Sequence, residues 1–141
     1  MKSLLPLAVV IALAGAFGLW HRRSRGEVKA KSGELVITQA MLTQSMIGGP
    51  LGSRATLLQF SSAFCTPCRA TRALLENIVS GLSDVAHIEV DAEANLDLVR
   101  SLNILSTPTT LILDSGGREI ARATGAPKRE QVLTALAAIG K

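Results

Sequence analysis

The chain has 141 residues, enough for one domain and a short extension; at 48% hydrophobic and 18% charged residues, wholesale disorder is excluded. Two cysteines are too few for a disulfide-dense scaffold or a Cys₄ zinc site. The net charge of +4 lies in residues 1–26, where Lys2, Arg22, Arg23 and Arg25 meet no acid. Residues 27–141 balance 11 basic against 11 acidic side chains, which with only 3% aromatics excludes nucleic acid as a partner.

Residues 3–20 (SLLPLAVVIALAGAFGLW) form an uncharged run of 18 residues. As a helix it would reach about 27 Å, close to the ~30 Å hydrocarbon core of a bilayer. Trp20 ends the run, and His21, Arg22, Arg23 and Arg25 follow at once. An indole and a basic cluster suit the membrane interface. Residues 1–21 are therefore expected to form a single N-terminal transmembrane anchor. The alternatives are a cleaved signal peptide, for which Ala14-Gly15-Ala16 offers a cutting site, and a buried helix, which the lack of any polar face disfavours. Residues 22–33 (RRSRGEVKAKSG) are polar, carry no apolar period and read as a basic juxtamembrane tether.

From residue 34 the pattern alternates between strand and helix. A short strand is expected at 34–37, and Thr38 can cap a helix through 47. Met41, Leu42, Ser45 and Met46 keep helical spacing there, and the two Met suit core filling. Residues 55–61 (ATLLQFS) form an apolar run of central-strand length. Residues 66–80 are helical, with Leu74, Leu75, Ile78 and Val79 on one face. A strand at 85–91, a helix at 94–102 and a strand at 109–114 follow. Ser115-Gly116-Gly117 turns the chain into an antiparallel strand at 118–124. Pro127 suits the first turn of a last helix, where Val132, Ala135, Leu136 and Ile139 make one apolar stripe. The order β-α-β-α-β-α-β-β-α predicts an α/β domain over 34–141, a mixed central sheet flanked by helices.

Both cysteines fall in one motif, Cys65-Thr66-Pro67-Cys68, between a buried strand and a helix. There the first sulfur meets the unsatisfied N–H groups of a helix start, which favour its thiolate. A thiol of pKa ~8.5 is about 3% ionised at pH 7, and one of pKa ~7 is half ionised. A structural disulfide would close too short a loop to restrict the unfolded chain much. A metal would need two more ligands, and the only histidines are His21 and His87. Thiol–disulfide exchange is the reading these residues favour.

The domain resembles the thioredoxin family. The resemblance rests on Leu57-Leu58-Gln59-Phe60-Ser61 running into Ala63-Phe64-Cys65-Thr66-Pro67-Cys68-Arg69, on Val90-Asp91, on Ser106-Thr107-Pro108-Thr109, and on Leu111-Ile112-Leu113 with Gly116-Gly117 and Gly125. It implies a thioredoxin-like fold over 34–141 and a cis Thr107–Pro108 bond that positions substrate. It also implies a redox pair in which Cys65 attacks, Cys68 resolves, and Thr66 and Pro67 tune the potential. Three departures stand out. Gln59 occupies the place of a buried carboxylate that handles the second thiol's proton. Phe64 replaces the usual Trp, and Thr-Pro replaces Gly-Pro. His87 falls where relatives place a Lys facing that carboxylate, so Gln59 and His87 are candidates for proton handling.

The expected function is a membrane-anchored oxidoreductase of protein disulfides. No metal or organic cofactor is required, and a thiol–disulfide electron donor or acceptor resets the pair. The alternative is a thioredoxin-like binding or metal-transfer module at the membrane, with a redox-sensing pair. Five basic residues after the anchor against Lys2 before it point to a cytoplasmic domain. An extracytoplasmic domain, tethered or released after signal cleavage, is the other arrangement.

Overall fold

The computed structural model describes residues 4–24, 28–30, 36–44 and 49–140. The elements run α1 (Leu4–Ser24), β1 (Val28–Ala30), α2 (Gln39–Gln44), β2 (Ala55–Ser61), α3 (Thr66–Val79), β3 (Val85–Asp91), α4 (Leu96–Ser101), β4 (Thr109–Asp114), β5 (Glu119–Thr124) and α5 (Arg129–Ala138). The expected strands 55–61, 85–91 and 109–114 match β2, β3 and β4 end to end.

The strands form one mixed sheet in the order β1-β5-β4-β2-β3. Among the described residues only β2 and β3 are parallel, the pair that a helical crossover requires, here α3. β4 lies antiparallel to β2 and to β5. β2 is therefore central, and all seven of its residues are buried. Its alternate side chains feed two cores. Leu58 and Phe60 join Ile88, Val90, Leu98, Leu102, Leu111 and Leu113 on one face. Ala55 and Leu57 join Leu75, Ile78, Val132 and Leu136 beneath α3 and α5 on the other. Each such leucine contributes roughly 1.5–3 kcal/mol when fully buried.

Two sequence expectations are corrected. The first strand is not 34–37 but Val28–Ala30, inside the stretch read as a featureless tether. It pairs antiparallel with β5, Val28 opposite Ala123. β5 would otherwise offer an unpaired edge, and three residues are enough to cover it. Val36 makes only an isolated bridge to Arg118, and residues 34 and 35 lie outside the described residues. Ile37 N–H donates to the Gly117 carbonyl at 2.7 Å. Gly117 has φ +80, and a Cβ there would collide with the Ile37 carbonyl, so only glycine fits. Pro127 is not in the first turn of α5: Lys128 is the N-cap, and Pro127 lies just before it.

Thr38 caps α2 as expected, its hydroxyl accepting from Met41 N–H at 3.3 Å. The end of that helix at 45–47 lies outside the described residues. α1 spans 21 residues, with side chains described over 6–21 and all exposed. Among the described residues, no helix is long and apolar enough to cross a membrane.

Candidate active site

β2 carries the chain out of the core at Ser61, and a turn over 62–64 leads to Cys65 at the head of α3. Cys65 is the N-cap, extended at φ −98 and ψ 97, and its sulfur accepts the Cys68 N–H at 3.2 Å. An N-cap acceptor normally satisfies one of the orphan donors of the first turn. Here a sulfur takes that place, so charge on it meets N–H groups already aimed at it. Cys65 and Cys68 are joined by a disulfide, with Cα atoms 5.2 Å apart. The two are unequal in access. Cys65 is half-buried, whereas Cys68 is 2% exposed. Thr66 and Pro67, between them, are exposed in the first turn.

Gln59 lies fully buried beneath this turn. Its amide nitrogen donates to the Cys68 carbonyl at 2.9 Å and to Ser61 Oγ at 3.0 Å. Its oxygen sits 3.0 Å from His87 Nε2 on β3, which places a donated proton on that nitrogen. Burial pushes the His87 pKa down, against the charges of Glu76 and Glu89, so the ring is neutral near pH 7. Gln59 and His87 are thus brought to Cys68 as one chain of hydrogen bonds. The Thr107–Pro108 bond is cis. Its loop is tied to the turn before Cys65 by a 3.0 Å contact between the Ser62 and Thr107 hydroxyls. The Pro108 carbonyl accepts from Gly125 N–H at 2.7 Å.

A family model for thioredoxin matches residues 43–138. Over 108 residues the chain is 30% identical to thioredoxin of Mycolicibacterium smegmatis, covering 74% of this chain and 93% of that one. The chain belongs to the thioredoxin family. Thioredoxin H2-1 of rice (Oryza sativa subsp. japonica) is 28% identical over 78 residues, 55% of this chain and 56% of that relative. The match therefore spans only about half the length of that relative. The crystal structure of spinach chloroplast thioredoxin F superposes with a TM-score of 0.56 at 27% identity, covering 64% of this chain and 74% of that one. Family membership and the Cys65–Cys68 pair indicate a thiol–disulfide oxidoreductase.

The thioredoxin site here has a feature that sequence reading missed. A cavity of about 460 Å³ beside the cysteines is lined by Cys65, Cys68, Arg69, Arg72, Glu89 and Asp91, among others. Neither Thr107 nor Pro108 lines it. Arg72 lies four residues after Cys68 on α3 and pairs with Glu89 of β3 at 2.5 Å. Burial pushes the Glu89 carboxyl upward, but hydrogen bonds from Arg72 and Ser61 and the charges of Arg72 and His87 outweigh it and hold the pKa below the usual range. Glu89 faces Gln59 across the β2–β3 pairing. In the sequence Glu89 reads as the polar half of an alternating strand. Two signals point to it: the parallel register with Gln59 and the four-residue spacing of Arg72 from Cys68.

Proposed function

We propose that this thioredoxin reduces or exchanges disulfides in protein substrates while anchored to a membrane, its domain facing the cytoplasm. The unequal access of the two sulfurs carries the chemical part. Cys65, reachable and set among helix-start N–H groups, is the attacker. Cys68, sheltered behind it, resolves the mixed disulfide and releases the reduced substrate. Thr66 and Pro67 tune the pair, and Thr107 and Pro108 position the substrate. Phe64 is fully exposed just before Cys65, and Leu105 is 86% exposed before the Pro108 loop. Two bare apolar side chains, one next to Cys65 in sequence and one at the start of the loop that carries Pro108, favour an apolar segment of another protein over a small polar disulfide.

The anchor reading rests on the uncharged run of residues 3–20 and on exposed apolar side chains within it, such as Leu13 and Leu19. Phe17 lies 6.0 Å from both Trp20 and His21, centroid to centroid, which gathers rings at the end next to the basic residues. That is where an aromatic belt sits in a bilayer.

The test is insulin disulfide reduction by the full chain in detergent, with trapping of partners by single-cysteine variants. Cys68→Ser retains attack and accumulates mixed disulfides. Cys65→Ser loses both reduction and trapping. Equal trapping by the two variants would overturn the assignment of roles.

A further inference from the structure

We propose that the carboxylate absent from position 59 is supplied from the neighbouring strand, and that Glu89 accepts the proton of Cys68 when the mixed disulfide is resolved. The proposal rests on the oxidoreductase reading of this same site and deepens it. Gln59 cannot titrate, and its amide is committed to the Cys68 carbonyl, Ser61 and His87. The sheltered thiol still has to lose a proton before it can attack. Of the groups lining the cavity with Cys68, only Glu89 and Asp91 are carboxylates. Asp91 is held by its own turn, accepting from Glu93 N–H at 2.9 Å and Ala94 N–H at 3.4 Å. Glu89 has a carboxylate oxygen, Oε1, that is buried and has no hydrogen-bond partner among the described residues. An acceptor left open in a buried polar site calls for an explanation, and a transferable proton supplies one.

The charges facing Glu89 favour its ionised form. From α3 come Arg72 in direct contact, Arg69 and, farther along, Glu76. From β3 itself come His87 and Asp91, while β2 contributes only the neutral Gln59 and Ser61. Glu89 is therefore the base form at neutral pH, and Arg72 sets how strongly it holds a proton.

In the step, the Cys68 S–H bond breaks and its proton passes to the Glu89 carboxylate across the cavity that both residues line. The Cys68 thiolate attacks the Cys65 sulfur of the mixed disulfide. The bond from Cys65 to the substrate sulfur breaks, and its electron pair leaves on that sulfur. The Cys65–Cys68 disulfide forms, the substrate is reduced, and Glu89 returns the proton to the departing thiolate.

Two variants of the full chain in detergent test this, with thionitrobenzoate as the probe. The dithiol form reacts with the aromatic disulfide to load Cys65, and the second release of thionitrobenzoate reports resolution by Cys68. Glu89→Gln is expected to slow that second release at least ~10-fold near pH 7. The loss should shrink as pH rises and more of the thiol ionises unaided. Arg72→Met removes the same ion pair but keeps the carboxylate and frees it to hold a proton more tightly. Its release should stay within about threefold of wild type at pH 7, with the inflection of the rate profile moved upward. Equal losses in both variants at every pH would show that the ion pair is merely structural and overturn the proposal. So would an unchanged profile in Glu89→Gln. A wild-type chain that cannot resolve the adduct at all would overturn the oxidoreductase reading as well, which separates the two failures.

Discussion

Around Cys68 the side chains from β2 and β3 do different work according to whether they can titrate. Gln59 orders the turn without charge, and His87 completes the chain of donors while staying neutral through burial. The unfolded imidazole titrates near 6.5, and the folded one lower. Between those values the unfolded chain binds the extra proton. Stability therefore falls as pH drops below about 6.5 and is regained as pH rises through that window. Glu89 adds a separate loss at lower pH: its folded pKa is depressed, so its contribution is present above the unfolded value of 4.5 and disappears as pH falls through the folded one. Urea midpoints measured from about pH 7 down to about pH 5.5 should decline in the wild type and flatten in His87→Gln. An equal slope in both would remove His87 from the pH response. The cysteines and Gln59 were legible because spacing and the end of an apolar run mark them. Glu89 and Arg72 were not, since each looks like a solvated charge until the helix is laid over the strand.

Elements were legible where their own periodicity decided them. β2, β3 and β4 are central strands whose apolar runs persist to their ends. β1 has three residues and no period of its own, and its place is set by the edge of β5. The loop between α4 and β4 is another case in which a distant element decides. Arg122 of β5 makes two bonds to the fully buried Glu119, at 2.7 and 2.9 Å. The same guanidinium donates to the Leu102 carbonyl at 2.9 Å and the Asn103 carbonyl at 3.2 Å. It thereby holds the start of the loop that carries Thr107 and Pro108, at a residue whose φ is +53. Arg122→Ala removes all four bonds and leaves a buried carboxylate without its guanidinium. It should cost roughly 3 kcal/mol by urea denaturation. Hydrogen exchange at the Ile104 amide, bonded to the Val99 carbonyl at 2.9 Å, should rise more than exchange in β2. Arg122→Lys should recover only part of the loss, because an ammonium cannot serve the planar four-bond arrangement. A loss below about 1 kcal/mol for Arg122→Ala would mean that the loop holds itself.

At the scale of the whole molecule, the balanced charge of residues 27–141 leaves orientation to the flanks of the proposed anchor. Lys2 lies before residues 3–20, and Arg22, Arg23, Arg25, Lys29 and Lys31 lie after them. For the proposed anchor, the excess of basic residues favours a cytoplasmic C-terminal side, and all five fall within the short distance over which that bias operates. β1 adds a geometric constraint. With Val28–Ala30 already paired in the sheet, only a few residues separate the end of α1 at Ser24 from the folded domain. On the proposed anchoring, the active site would be held close to the membrane surface, and its substrates would be proteins that reach that surface. If the proposed cytoplasmic placement holds, the compartment is reducing, and the pair would rest as a dithiol and act as a reductant. A membrane-impermeant thiol reagent applied to intact cells should leave Cys65 and Cys68 unlabelled, and labelling should appear on lysis. Labelling of intact cells after mild reduction would place the domain outside. The pair would then serve an oxidising compartment, as an oxidant or isomerase.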